Sequence, residues 1–210
     1  MPARPRFITL EGGEGAGKST QAARLAAALE AGGIPVCLTR EPGGSPGAEQ
    51  IRMLLVEGEQ GRWDPLTETL LLFAARADHL AHTIRPALEA GQWVISDRFT
   101  DSTYAYQGAG RGLDDSSIAA IDSATTSSFK SDLTIILDVP VEQGLSRAGT
   151  RGAGEARFEC FDRDFHARIR DYFVALAARE PERCVLLDGS APPDAAATAI
   201  WNVVRGRFRL

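Results

Sequence analysis

A chain of 210 residues, 44% hydrophobic and 24% charged, is long enough to bury a sizeable core and reads as one globular domain with a lid over about 147–158. Its formal net charge of −5 argues against a nucleic-acid or anionic-membrane surface, and no apolar run reaches membrane-spanning length. Cys37, Cys160 and Cys184 share no C-x-x-C spacing, and the N-terminus lacks the apolar run of a signal peptide, so we expect reduced thiols in a cytoplasmic protein.

Short apolar runs alternate with longer helical patterns, which predicts an α/β fold: a five-stranded parallel sheet with helices on both faces. The first strand, about 6–11, runs into Gly12, Gly13, Glu14, Gly15, Ala16, Gly17, Lys18, Ser19 and Thr20. This run fits the G-x-x-x-x-G-K-[ST] template in its strand-then-helix setting. Glycines let the backbone curl around a phosphate with its N–H groups inward, and the following helix adds a positive dipole end. Lys18 can then reach the β- and γ-phosphates and Ser19 can bind Mg²⁺. A nucleoside triphosphate ligand follows, and the absence of an N-K-x-D guanine signature favours ATP.

The helix of about 18–31 ends at Gly32-Gly33, and a second strand, Val36–Thr39, leads to Arg40-Glu41-Pro42-Gly43-Gly44. Residues 46–57 read as a helix with Ile51, Leu54 and Leu55 inward. A long helix over about 65–90 sets Leu70, Phe73, Ala77, Leu80 and Ile84 at helical spacing, with Pro86 bending its last turn. Phe73 and Arg76 lie one turn apart, suited to stacking on a base and bonding its carbonyl, although Phe73 alone could equally be core.

Trp93–Ser96 is a buried-strand pattern closed by Asp97-Arg98. Asp97 is placed to act on Mg²⁺, and Arg98 to clamp a phosphate bidentately. Arg40 sits at the equivalent end of the second strand, with a surface ion pair to Glu41 as its alternative. Residues 100–112 read as a helix start and then a loop, with Tyr104, Tyr106 and Gln107 as packing or pocket wall. A helix of about 114–129 precedes the strand Leu133–Leu137, a helix of about 141–148 and the basic, glycine-rich stretch 149–154. Arg147 and Arg151 could close over a transferring phosphate, whereas Arg163, Arg168 and Arg170 read as a solvated helix face. His79, His82 and His166 show no partner spacing and read as structural or exposed. A helix of about 159–179, the strand Cys184–Leu187 and a helix of about 193–205 complete the chain.

Several cations at strand ends point to a second, anionic substrate, either a nucleotide or another small acid. At this stage the residues resemble a known family. The phosphate loop, Thr39–Gly44, Asp97-Arg98-Phe99, Ala105-Tyr106-Gln107-Gly108 with Gly110-Arg111-Gly112, and the arginines after 147 are similar to bacterial thymidylate kinases over about residues 6–205. The resemblance implies transfer of the ATP γ-phosphate to dTMP, with Mg²⁺ as cofactor and a homodimer as the assembled form. It implies Gly12–Thr20 on ATP, Ser19 and Asp97 at the metal, and Glu14 near the deoxyribose 3′-hydroxyl. Arg40 and Arg98 would take the dTMP phosphate, Phe73 and Arg76 the thymine, and Thr103, Tyr106 and Gln107 the base and sugar pocket. Lys18, Arg98, Arg147 and Arg151 would be the catalytic set. Many members place the stacking phenylalanine four residues before the arginine, where this chain has Leu72.

Overall fold

The computed structural model describes residues 4–58, 61–149 and 162–210. Five strands form one parallel sheet: β1 (Phe7–Glu11), β2 (Val36–Arg40), β3 (Trp93–Asp97), β4 (Leu133–Asp138) and β5 (Cys184–Asp188). Their order is β2-β3-β1-β4-β5, so β1 is central. The register pairs Leu10 with Asp97 and with Ile135, and Arg40 with Asp97. The carboxyl ends of β1, β2 and β3 therefore lie side by side, where ligands of open α/β sheets bind.

The helices start and stop where local chemistry requires. α1 (Lys18–Ala31) begins after Gly17, which sits at φ 89°, and ends at Gly32. α2 (Pro46–Val56) and α3 (Pro65–His79) each carry proline in the first turn, and Asp64 caps α3 by accepting from the Thr67 amide at 3.0 Å. α4 (Arg85–Glu89) and the short α5 (Thr100–Thr103) follow, then α6 (Asp115–Thr126), α7 (Val141–Gly149), α8 (Arg163–Arg179) and α9 (Pro193–Phe208). The α6 and α8 caps, Asp114 and Asp162, accept from the amides of Ser117 and Phe165. One sheet face packs Ile8, Leu10 and Ile135 against Leu25 and Leu29 of α1 and Ile200 and Val204 of α9. The opposite face buries Phe7 and Val94 with Leu80, Ile84 and Phe99, and Ile136 with Phe165, Ile169 and Phe173 of α8. Burial on both faces explains why the inner strands read as mainly apolar runs, and the buried Thr9 and Thr134 hydroxyls satisfy each other at 2.8 Å.

The long helix expected over 65–90 is interrupted. Between α3 and α4 the residues Leu80–Ile84 form a π turn in which the Arg85 amide donates to Leu80 O. Pro86 supplies no N–H to the preceding turn, and the widened turn absorbs that loss. The loop expected to follow a helix start within 100–112 is instead a second π turn, Tyr104–Gly110, continuous with α5. Gly110 lets it approach α8, since a Cβ there would meet the Phe165 ring at 2.5 Å. Leu54 and Leu70 are exposed rather than inward, and with Met53 and Leu66 they leave an uncovered apolar surface on α2 and α3. The spacing correctly marked them as apolar. The inward placement expected of Leu54 is overturned, because the domain covers α2 on the side of Leu55.

Candidate active site

The phosphate loop wraps around the end of β1, with Gly12, Gly15 and Gly17 at positive φ. Gly15 lies against the backbone of Gly144 on α7, leaving no room for a side chain. Lys18 is buried, and its Nζ donates to Gly12 O at 3.1 Å and Gly13 O at 2.8 Å. Burial, then the nearby Arg98 charge, pull the Lys18 pKa down, while Glu14, Asp97 and Glu11 oppose that.

At the end of β3, Asp97 Oδ2 accepts the Ser19 hydroxyl at 2.5 Å, and Asp97 Oδ1 is buried with no hydrogen-bond partner. A hydroxyl and a carboxylate with a spare oxygen are hard donors at the mouth of the loop, and they fit Mg²⁺. Next along the chain, Arg98 has φ 72° and its guanidinium crosses the mouth of the loop. Nη1 donates to Gly12 O and Ser102 Oγ, and Nη2 donates to Glu14 Oε1 at 2.8 Å and Tyr106 Oη at 2.9 Å. The Tyr106 hydroxyl in turn donates to Glu14 Oε1 at 2.7 Å. Burial alone would raise the Glu14 pKa. The Arg98 and Lys18 charges and the Tyr106 bond outweigh burial and hold it at about 2.

Two clefts meet here. One is lined by Gly15–Ser19, Asp97, Arg40 and Arg52; the other by Pro42, Leu55, Leu72, Phe99, Arg76, Thr103, Tyr106 and Gln107. Glu14, Glu41 and Arg98 belong to both. In the second, Arg76 Nε donates to Glu41 Oε2 at 2.8 Å and Nη2 to Thr103 Oγ1 at 3.0 Å. Its Nη1 is buried with no hydrogen-bond partner. A buried donor left over in a slot walled by Pro42, Leu55, Leu72 and Phe99 suits a carbonyl oxygen. Gln107 is braced from below by Nε2 donating to Glu68 Oε1 at 2.9 Å, and Glu68 pairs with Arg111.

Other expected site residues lie differently. Phe73 is fully buried with its ring 4.6 Å beneath the Arg76 guanidinium, and Leu72 is the residue that lines the slot. Three residues before Arg76 on this helix is the core side; four is the cleft side. Arg40 is 55% exposed and pairs with Glu49 rather than Glu41. Arg147 donates to Gly189 O at 2.8 Å and Ser190 O at 3.1 Å in the turn after β5. Arg151, Arg157 and Cys160, with most of the expected lid, lie outside the described residues. The solvated face expected of α8 is in part a brace. Arg170 grips Asp138 with bonds of 2.7 and 2.9 Å, Arg168 donates to Ala109 and Gly110 carbonyls, and Arg163 pairs with Glu142.

Sequence reasoning did not single out Arg52, whose Nη1 donates to Pro42 O at 2.6 Å at the rim of the phosphate cleft. Its signal was the one-turn spacing from Glu49 on α2. His79 is structural, buried and joining Glu41 Oε1 at 2.9 Å to Thr39 Oγ1 at 2.7 Å.

The family model for thymidylate kinase matches residues 10–200. A thymidylate kinase of Caulobacter vibrioides is 54% identical over 204 residues, covering 97% of this chain and 98% of that protein. One from a Bradyrhizobium species is 52% identical over 99% of this chain and 92% of its own. The crystal structure of thymidylate kinase from Ehrlichia chaffeensis superposes with a TM-score of 0.77 at 33% identity, over 96% of this chain and 98% of that one. With the phosphate loop, the strand-end cations and the buried Arg76 slot in place, the chain belongs to the thymidylate kinase family.

Proposed function

We propose that this protein transfers the γ-phosphoryl group of ATP to dTMP, giving dTDP and ADP on the route to dTTP. The observation that carries the reading is the joining of two clefts through Glu14, Glu41 and Arg98: a phosphate cradle opens directly into a slot whose buried Arg76 Nη1 awaits an acceptor. Thymine enters that slot, with Leu72 and Phe99 against its faces and Arg76, Thr103 and Gln107 at its edge. The sugar passes Glu14 and Tyr106. Arg98, Arg40 and Arg52 then receive the acceptor phosphate, and residues Gly12–Thr20 the donor phosphates.

An oxygen of the dTMP phosphate attacks the γ-phosphorus as the bond to the β-phosphate oxygen breaks. That oxygen is already anionic, so no protein base is needed. Catalysis rests on alignment and on neutralising charge. Lys18 exchanges its bonds to Gly12 O and Gly13 O for phosphate oxygens. Ser19 and Asp97 would hold Mg²⁺, which when bound neutralises charge on the donor phosphates. Arg151 belongs to the same reading as a cation from the lid.

The apolar surface formed by Met53, Leu54, Leu66 and Leu70 on adjoining helices supports a homodimer built on α2 and α3. Cys37 and Cys184 are free, in keeping with a cytoplasmic enzyme. No described helix is long and apolar enough to cross a membrane. A coupled ADP-release assay across dTMP, dUMP, dCMP and dGMP tests the reading. Turnover highest with dTMP is expected; a clear preference for another monophosphate would replace the acceptor, and ADP release indifferent to all of them would discard the kinase reading.

A further inference from the structure

We infer that Glu11 is a positioning residue that sets the direction of the Arg98 guanidinium. The inference rests on the reading of Arg98 as the cation for the acceptor phosphate. Arg98 is one of the few described residues other than glycine with a positive φ, at 72°. That conformation costs an L-residue free energy and persists only where the surroundings enforce it. Enforcement is visible on both sides. Upstream, the Arg98 amide donates to Leu10 O at 3.0 Å, and Ser96 Oγ donates to Arg98 O at 2.7 Å. Downstream, the Phe99 amide donates to Glu11 Oε1 at 2.7 Å and the Ser102 hydroxyl to Glu11 Oε2 at 2.5 Å.

The second of these bonds also reaches the guanidinium. Because Ser102 spends its proton on Glu11, its lone pairs face Arg98 Nη1, which donates to them at 3.1 Å. Glu11 thus holds the backbone on which Arg98 is mounted and orients the hydroxyl that steadies its tip. It is fully buried at the end of β1 and does not line either cleft, so contact with substrate is not its task. Burying a carboxyl there is expensive. The ionised form, which accepts both bonds, is opposed by burial and then by the Asp101 charge, which raise the pKa, and favoured by the Ser102 bond, the Arg98 charge and the Phe99 bond, which pull it back. An apolar side chain would avoid that cost, and what it could not supply is the pair of acceptors.

The test is steady-state kinetics on the full chain, with dTMP and ATP varied separately, for Glu11→Met, Glu11→Gln, Ser102→Ala and Arg98→Ala. Glu11→Met keeps the length and removes both acceptors, and we expect kcat/KM for dTMP to fall by about tenfold or more with KM for ATP nearly unchanged. Glu11→Gln keeps an acceptor for Phe99 and recovers part of the loss. The discriminating arm is the double variant: added to Arg98→Ala, Glu11→Met should have no further effect. An equal loss in both backgrounds, or an unchanged dTMP term in the single variant, overturns the inference. If Glu11→Met fails to unfold cooperatively, Ser102→Ala decides, and an unchanged dTMP term there also overturns it. Should Arg98→Ala itself leave dTMP kinetics intact, it is the phosphate-site reading that fails, a separate outcome from the others.

Discussion

Glu41 and Arg76 form a closed pair beneath the base slot: Oε2 accepts from Nε at 2.8 Å, and their side chains are 5% and 2% exposed. His79 holds the other oxygen of Glu41 at 2.9 Å, so the carboxylate has a partner on each side. The pair fixes Arg76 with Nη1 left over for a ligand. Removing one buried partner strands the other. Glu41→Ala is therefore expected to cost about 3–5 kcal/mol of folding stability. It should also raise KM for dTMP at temperatures where the variant stays folded. Urea unfolding measures the first effect, and a loss below about 1 kcal/mol would show that the pair is not acting as a buried unit.

Lys18 bonds the carbonyl oxygens of its own loop, and phosphate oxygens are the natural replacement. Lys18→Ala should lower kcat by about 10³-fold or more while thermal unfolding stays cooperative. A loss under tenfold would remove Lys18 from transition-state stabilisation.

The orphan Oδ1 of Asp97 beside Ser19 predicts a metal-linked phenotype. Asp97→Asn halves the hard-oxygen character of the site, so kcat at saturating Mg²⁺ should fall by about 10²-fold and half-maximal activity should need more Mg²⁺. Chelation should silence the wild type, and Mg²⁺ should restore it. An unshifted Mg²⁺ titration in Asp97→Asn counts against the assignment.

Glu14 gives the acid limb of stability a distinct shape. Its folded pKa of about 2 lies below the reference of 4.5, so the ionised form is favoured by folding. The contribution is present above pH 4.5 and is lost as pH falls toward 2, in total about 3 kcal/mol. Unfolding free energies for the wild type and Glu14→Gln should converge as pH drops through that window. Parallel curves would mean that Arg98 and Lys18 do not hold the carboxylate as described.

The exposed leucines on α2 and α3 predict assembly. Leu70→Asp should convert a wild-type dimer into a monomer in sedimentation velocity, with its helical circular dichroism retained. A monomeric wild type would refute the proposed surface.

Some of the site was legible because it is local. The stretch from Gly12 to Thr20 needs only consecutive glycines, a lysine and a hydroxyl, since the loop builds its own curvature. Asp97 and Arg98 were equally readable, because an apolar run marks a strand and its charged end must face the cleft. Residues on helices were harder. Spacing put both Leu72 and Phe73 within a turn of Arg76, yet one lines the slot and the other is core. Arg147 read as a lid cation over the phosphate and Arg170 as part of a solvated face, yet each bonds acceptors near the ends of β4 and β5. Arg52 belongs to no motif, so only its place at the cleft rim reveals it.

The amino-acid order by itself determined the parallel α/β class, the phosphate loop and the presence of a second anionic ligand, because each is written in neighbouring residues or in short-range periodicity. Tertiary structure decided which side of each helix meets the cleft, which cations line the clefts, and how Glu11 and Glu41 bond groups far along the chain. Those outcomes depend on distances between segments 35 to 91 residues apart, and packing, rather than any local preference, sets such distances.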